Sequence, residues 1–142
     1  MPWVLALTDD QRRLFRERGQ LLAAGLLQHL DAPEPESAGH HLKEAAGNAA
    51  EYGRVAASLG LSLSQTVEGF LRFRMPFHQE LAVAARRRGF DTAETTDLLE
   101  AAERAMDRLL VATMTGHSTA SVAGSTRSRR VQVPASIVGE DR

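Results

Sequence analysis

The side chains most capable of chemistry fall on the third of four helices that the sequence predicts. Arg74 and His78 are one helical turn apart there, on the same side as a series of apolar residues. A buried guanidinium group is costly unless it is paired, so Arg74 requires an acidic partner, a carbonyl oxygen or an anionic ligand. Met75 and Pro76 lie between the two, and proline kinks a helix and frees a carbonyl group. The segment is therefore the best candidate for a pocket that binds a small molecule or an anion.

A purely structural interpretation of the same residues stays open. Arg74 would then extend along the edge of a helical bundle to reach water, and His78 would pack as an ordinary half-buried histidine. Under the ligand hypothesis, the site consists of polar and aromatic side chains from two predicted helices: Arg74, His78, Phe70, Phe77 and Tyr52.

Patterns typical of catalytic and metal sites are missing from the sequence. The chain has no cysteine, which excludes thiolate ligands, cysteine nucleophiles and disulfides. His40 and Glu44 are one turn apart, but two ligands do not make a metal site. A haem protein is a third alternative, with His78 as its proximal ligand. We expect no catalytic residue, no metal and no cofactor, and hence a protein that is not an enzyme.

Residues 52–74 resemble a DNA-binding helix-turn-helix, in which the second helix enters the major groove. Gly60 marks the turn and Ser62 begins the second helix. The start of that helix carries no arginine or lysine, although contact with phosphates requires basic residues. Gly60 and Ser62 are better explained as caps that join two bundle helices. The DNA-binding regulator is the alternative function, and we expect this domain alone not to bind nucleic acid.

Length and composition indicate one globular domain. The chain has 142 residues, 43% of them hydrophobic and 25% charged, with a net charge of −1. This charge gives no general attraction to nucleic acid or to an anionic membrane. We read no signal peptide at the apolar start and no membrane span, so a cytoplasmic location is expected.

Helical spacing of apolar residues and capping residues define four helices. The first runs from about Thr8 to His29, and the second from about Ser37 to Leu59 with a face of small residues. The third begins at Ser62 or Ser64 and ends near Arg88, and the fourth runs from Asp91 to near Gly116.

Four helices of this length with short links predict an all-α fold, an antiparallel four-helix bundle. The bundle is expected to occupy residues 1–116 as a regulatory domain. Residues 117–142 are rich in serine, threonine and arginine and are expected to form a flexible, disordered tail.

Several short motifs give the chain a resemblance to a bacterial family. They are Gly53 to Ala57, Gly60-Leu61-Ser62, Phe73-Arg74, and Asp107 before Leu109-Leu110. Over roughly residues 10–115 the chain resembles the N-terminal domain of the RsbT co-antagonist type, a helical domain found in stress-signalling proteins. The resemblance implies a sensor or signalling role.

These observations favour a sensor or signalling module that regulates transcription or a stress response through contact with a protein partner. A ligand near Arg74 would gate that contact. A homodimer is plausible, with a second copy covering the small-residue face of the second helix and the apolar N-terminus around Trp3.

Overall fold

The computed structural model describes the backbone of residues 2–140 and the side chains of residues 2–122. This part of the chain contains five helices and no strand, so the all-α prediction is confirmed. None of the described helices is long and apolar enough to cross a membrane. The helices are α1 (Pro2–Leu5), α2 (Asp9–Asp31), α3 (Pro35–Ser58), α4 (Leu63–Arg87) and α5 (Thr92–Glu140).

Side-chain caps start three of the helices where the sequence predicts them. Before α2, the Thr8 hydroxyl accepts a hydrogen bond from the Gln11 backbone N–H at 3.1 Å. The Gln11 side chain in turn accepts from the Thr8 backbone N–H at 2.9 Å, which satisfies two otherwise free donors. The same reciprocal bonds start α4 and α5, through the pairs Ser62–Gln65 and Asp91–Glu94.

Glycine in the left-handed conformation follows α3 and α4. Gly60 has a φ of 83° and Gly89 a φ of 75°, values that other residues adopt only with strain. Gly60 was predicted as a cap because a residue without a side chain turns the chain away from the helix most easily.

α5 does not end where the sequence predicts. The predicted end near Gly116 is wrong, because α5 continues to Glu140 and its backbone is helical over residues 117–140, where a disordered tail was expected. Gly116 and His117 are instead buried against the other helices. The glycine serves close packing here and does not act as a cap.

α3 and α5 approach each other closely because each presents a glycine to the backbone of the other. A Cβ atom added to Gly53 on α3 would overlap the Thr113 carbonyl oxygen and lie 2.8 Å from the backbone nitrogen of His117. A Cβ atom on Gly116 would overlap the Ala50 carbonyl oxygen. The side chains of both helices can therefore interdigitate with few gaps.

The small-residue face predicted for the second helix lies in the core. Ala45, Ala49 and Ala56 are fully buried, and a Cβ atom on Gly25 of α2 would lie 3.2 Å from the Cβ of Ala45. This face is covered by α2 and α5 of the same chain. It is therefore not the free surface for a second copy that the sequence suggests. The larger buried residues of the same core are Leu22, Leu26, Tyr52, Phe70, Phe77, Leu81, Met106 and Leu109.

We expect Gly53→Ala and Gly116→Ala each to lower the free energy of unfolding by about 3 kcal/mol. The added methyl group meets rigid backbone, which places the cost at the upper end of the usual overpacking range. Urea unfolding followed by circular dichroism measures the change.

Gly47→Ala is the matched control on α3. A Cβ atom at Gly47 has no neighbour within 4 Å, so this variant should gain about 0.5–1 kcal/mol from helix propensity. Equal stability of all three variants would contradict the close approach of α3 and α5.

Candidate functional site

Arg74 is half-buried between α4 and α5 and is paired with two carboxylates. Its Nη1 lies 3.2 Å from Asp107 Oδ1 and its Nη2 lies 3.6 Å from Glu103 Oε1. Glu103 and Asp107 are one turn apart on α5, so both reach the same guanidinium group. The requirement for a partner that the sequence imposed on Arg74 is met by acidic side chains of the same chain.

An open groove lies next to this ion pair. Its volume is about 430 Å³, and Arg74 and His78 both line it. The side chains of Leu71 and Met75 complete the same wall, with 47% and 67% of their surfaces exposed. Apolar side chains thus stand exposed beside a charged group that is already neutralised. The full lining is Leu71, Arg74, Met75, His78, Gln79 and Glu103.

The two phenylalanines assigned to the ligand site point from α4 into the core. Phe70 is 1% exposed and Phe77 is 6% exposed, and both belong to the main core. Phe73 links them, with ring centroids 5.8 Å from each. Neither residue lines the groove beside Arg74, so the structure gives these two a packing role.

Tyr52 lies apart from both the groove and the two phenylalanines, at the end of the core near α1. Its ring packs edge-on against Phe15 with centroids 5.3 Å apart. Burial raises its pKa from 10.0 to about 12, because the phenolate form would lose its hydration. Of the five residues predicted as one site, the structure therefore brings only Arg74 and His78 together in a groove.

The α3–α4 turn offers few groups for contact with DNA. The Gln65 side chain is engaged in the cap of α4, where its Oε1 accepts from the Ser62 backbone N–H. Arg74 is engaged with α5. The exposed side chains near the start of α4 include Ser64 and the acidic Glu68. The Leu61 carbonyl oxygen in this turn also forms a hydrogen bond with His117 of α5, a contact that a free recognition unit would not need.

His117 was placed in the tail by the sequence analysis, yet it fixes the α3–α4 turn. Its ring is buried, and its Nε2 donates a hydrogen bond to the Leu61 carbonyl oxygen at 2.7 Å. His29 forms a similar bond with the Ala38 carbonyl oxygen through Nδ1, also at 2.7 Å. Nothing in the local sequence pattern indicates either contact, because each joins two different elements of the fold.

Metal-ligating groups do not cluster in the described part of the chain. No group of three or more histidine, aspartate and glutamate side chains is placed to hold an ion there. His40 and Glu44 lie 3.5 Å apart on the surface and have no third ligand from that set.

Comparison with known proteins adds nothing to these observations: no family model matches the chain, and no curated protein or solved structure matches it either.

Replacing Arg74 with methionine should lower the free energy of unfolding by about 1 kcal/mol. Methionine keeps most of the packing of the side chain, while the two ion pairs involve carboxylates that are more than half exposed and therefore contribute little each. The loss should shrink in high salt, which screens the pairs. A double-mutant cycle with Asp107→Asn, measured by urea unfolding at two salt concentrations, tests the coupling, and zero coupling energy would refute the pair.

Ionisation of the Tyr52 hydroxyl should lower the free energy of unfolding at high pH. Its folded-state pKa is raised, so the unfolded chain releases the phenolic proton first, and stability is lost as the pH rises from about 10 to about 12. The loss amounts to at most roughly 3 kcal/mol. Tyr52 is the only tyrosine, so phenolate absorbance reports it alone. Tyr52→Phe is the control, and parallel loss of stability in both proteins would contradict the assignment.

Proposed function

We propose that this chain is a non-enzymatic regulatory module that acts through protein–protein contact, with its four long helices arranged as an antiparallel bundle. The order of contacts supports this arrangement. Ala50 meets Gly116 while Gly53 meets Thr113, so residue numbers rise in opposite directions along α3 and α5. Phe15 at the start of α2 likewise meets Tyr52 near the end of α3.

The observation that carries the proposal is the exposed face formed by α4 and α5 around Arg74. We call it the α4–α5 surface and define it by Leu71, Arg74, Met75, Glu103, Asp107 and Val111. Val111 follows Asp107 by one helical turn on the same side of α5 and is 63% exposed.

The chemistry of the α4–α5 surface suits a protein partner. Contact surfaces are enriched in methionine and arginine at their centres, and large exposed apolar groups mark places that bind other molecules. Met75 is flexible and 67% exposed, so it can adapt to an apolar pocket. Arg74 and its two carboxylates offer hydrogen-bonding groups of both charges beside it.

The same face offers a means of regulation by a ligand. The Arg74 guanidinium is held by Glu103 and Asp107 at 3.6 and 3.2 Å, and His78 lines the adjacent groove. A small anion bound between Arg74 and His78 would compete with the carboxylates and free them. The binding of a ligand in the groove would thereby change the charges presented to the partner.

The resemblance to the N-terminal domain of the RsbT co-antagonist type supplies the biological setting of the proposal. It favours the regulation of transcription or of a stress response in the cytoplasm. The homodimer stays part of the proposal, with the α4–α5 surface as its contact, since the small-residue face of α3 first assigned to it is covered within the chain.

The DNA-binding alternative has less support from the geometry. The first turn of α4 is occupied by its own cap, and the Leu61 carbonyl oxygen in the turn accepts a hydrogen bond from His117. The charge of Arg74 is already neutralised by the Asp107 carboxylate of α5.

Site-specific cross-linking in the native cell tests the proposal. A photoreactive amino acid at Met75 should capture a regulatory protein, whereas the same group at Val83 should not. Val83 is an exposed apolar residue of the same helix, 37% exposed, and it does not line the groove beside Arg74. Capture of a second copy of this chain would show the homodimer instead.

The captured protein then gives a quantitative test. Met75→Glu should weaken its binding by at least about 30-fold, the equivalent of roughly 2 kcal/mol for a central contact residue. Val83→Glu should leave the affinity within about 3-fold, because surface changes outside a contact have little effect. Equal weakening by both variants, or a partner with no regulatory activity that responds to this chain, would refute the proposed function.

A further inference from the structure

The N-terminal segment holds an indole ring in a slot formed by three other helices. Trp3 on α1 packs edge-on against Phe15 of α2, with ring centroids 6.4 Å apart. Its Cη2 atom lies 3.4 Å from the point where a Cβ atom on Gly69 of α4 would be. The Tyr52 hydroxyl lies 3.1 Å from that same point. The slot is thus bounded by Phe15, Tyr52 and Gly69, none of which belongs to α1.

The indole ring fits this slot in shape but leaves its polar atom without a partner. The Trp3 Nε1 atom is buried and has no hydrogen-bond acceptor among the described residues. A buried donor without a partner costs free energy that is recovered when the group returns to water. Trp3 therefore fills the slot with its ring but leaves its N–H group without a hydrogen bond.

The segment that carries Trp3 has few attachments. α1 is a single turn of four residues, too short to be stable as an isolated helix. Arg12 reaches back to the Val4 carbonyl oxygen at 3.4 Å, and the same guanidinium group is already paired with Asp9 at 2.6 Å. Leu7 is the one residue from 2 to 7 that is buried, where it packs with Ala56 and Leu61. Trp3 can therefore leave the slot without disrupting the main core.

We propose that the slot between Phe15, Tyr52 and Gly69 is a binding site for a small planar aromatic compound of indole size, and that Trp3 is the internal competitor that covers it. The ligand enters when α1 swings away, and its ring takes the place of the indole. A polar group on the ligand gains a hydrogen bond with the Tyr52 hydroxyl, which Trp3 does not make.

Tyr52 suits this role because its hydroxyl can both donate and accept hydrogen bonds at physiological pH. Burial raises its pKa further above that range, to about 12. This site is separate from the α4–α5 surface. Gly69 and Met75 are six residues apart on α4, about 9 Å along its axis.

Titration of the full chain with unlabelled indole tests the proposal. The chain has one tryptophan, so a nitrogen-15 spectrum contains one indole N–H signal. This signal should move saturably toward the position of a water-exposed indole at millimolar indole, together with the backbone amide of Gly69. Trp3→Ala removes the competitor and should bind indole at least 10-fold more tightly than the wild type.

Gly69→Ala narrows the slot and should weaken indole binding at least 10-fold. Gly19→Ala is its control, because a Cβ atom at Gly19 has no neighbour within 4 Å. If Trp3→Ala binds indole but the wild-type Trp3 signal stays in place at saturating indole, Trp3 is a permanent core residue and the proposal is overturned. Absence of indole binding by both proteins overturns it as well. The wild-type titration decides the question even if a variant does not fold, and none of these results depends on the partner captured at Met75.

Discussion

The close approach of α3 and α5 is the constraint on which the rest of this structure depends. Two helices can come this near only where both lack a side chain at the crossing, and Gly53 and Gly116 provide that on opposite sides. The backbones then meet directly, and Ala49, Ala105 and Leu109 fill the adjoining layers without exposure to water. Every other helix packs against a surface whose shape this pair has set.

The placement of α5 also determines the chemistry of the surface. α5 is fixed against α3 on its inner side, so its acidic residues Glu103 and Asp107 face α4 and hold Arg74. Leu71 and Met75 stay outside because the core beneath α4 is already filled by Phe70, Phe77 and Leu81. The exposed apolar groups and the ion pair beside them are thus two results of one packing arrangement.

Local signals in the sequence were sufficient to place most helix ends. Capping boxes and left-handed glycines act within one turn of chain, and the structure has them where they were expected, at Thr8, Ser62, Asp91 and Gly60. The end of α5 could not be predicted in this way. Gly116 is a glycine, the residue type that commonly ends a helix, so the sequence alone suggests a cap. Only its contact with Ala50 on another helix shows that it serves packing.

The candidate site was predictable in part for the same reason. Helical spacing placed Arg74 and His78 together, and burial made a partner for Arg74 necessary. Spacing could not tell which of the nearby aromatic residues face the groove, because Phe70 and Phe77 lie on the inner edge of the same face of α4. The roles of Glu103, Asp107 and His117 could not be predicted, since each acts through a contact that only the folded chain creates.

The hydrogen bond from His117 to Leu61 spans 56 positions of the chain and has a consequence for synthesis. Until α5 has left the ribosome, the alanine-rich side of α3 has no cover from its main neighbour, and the turn at Leu61 has no anchor. The nascent chain through α4 therefore exposes an apolar helix face that ordinary α-hairpins would already have hidden. Contacts of such long sequence separation slow folding, so the turn at Leu61 becomes fixed only after the chain through His117 has been made.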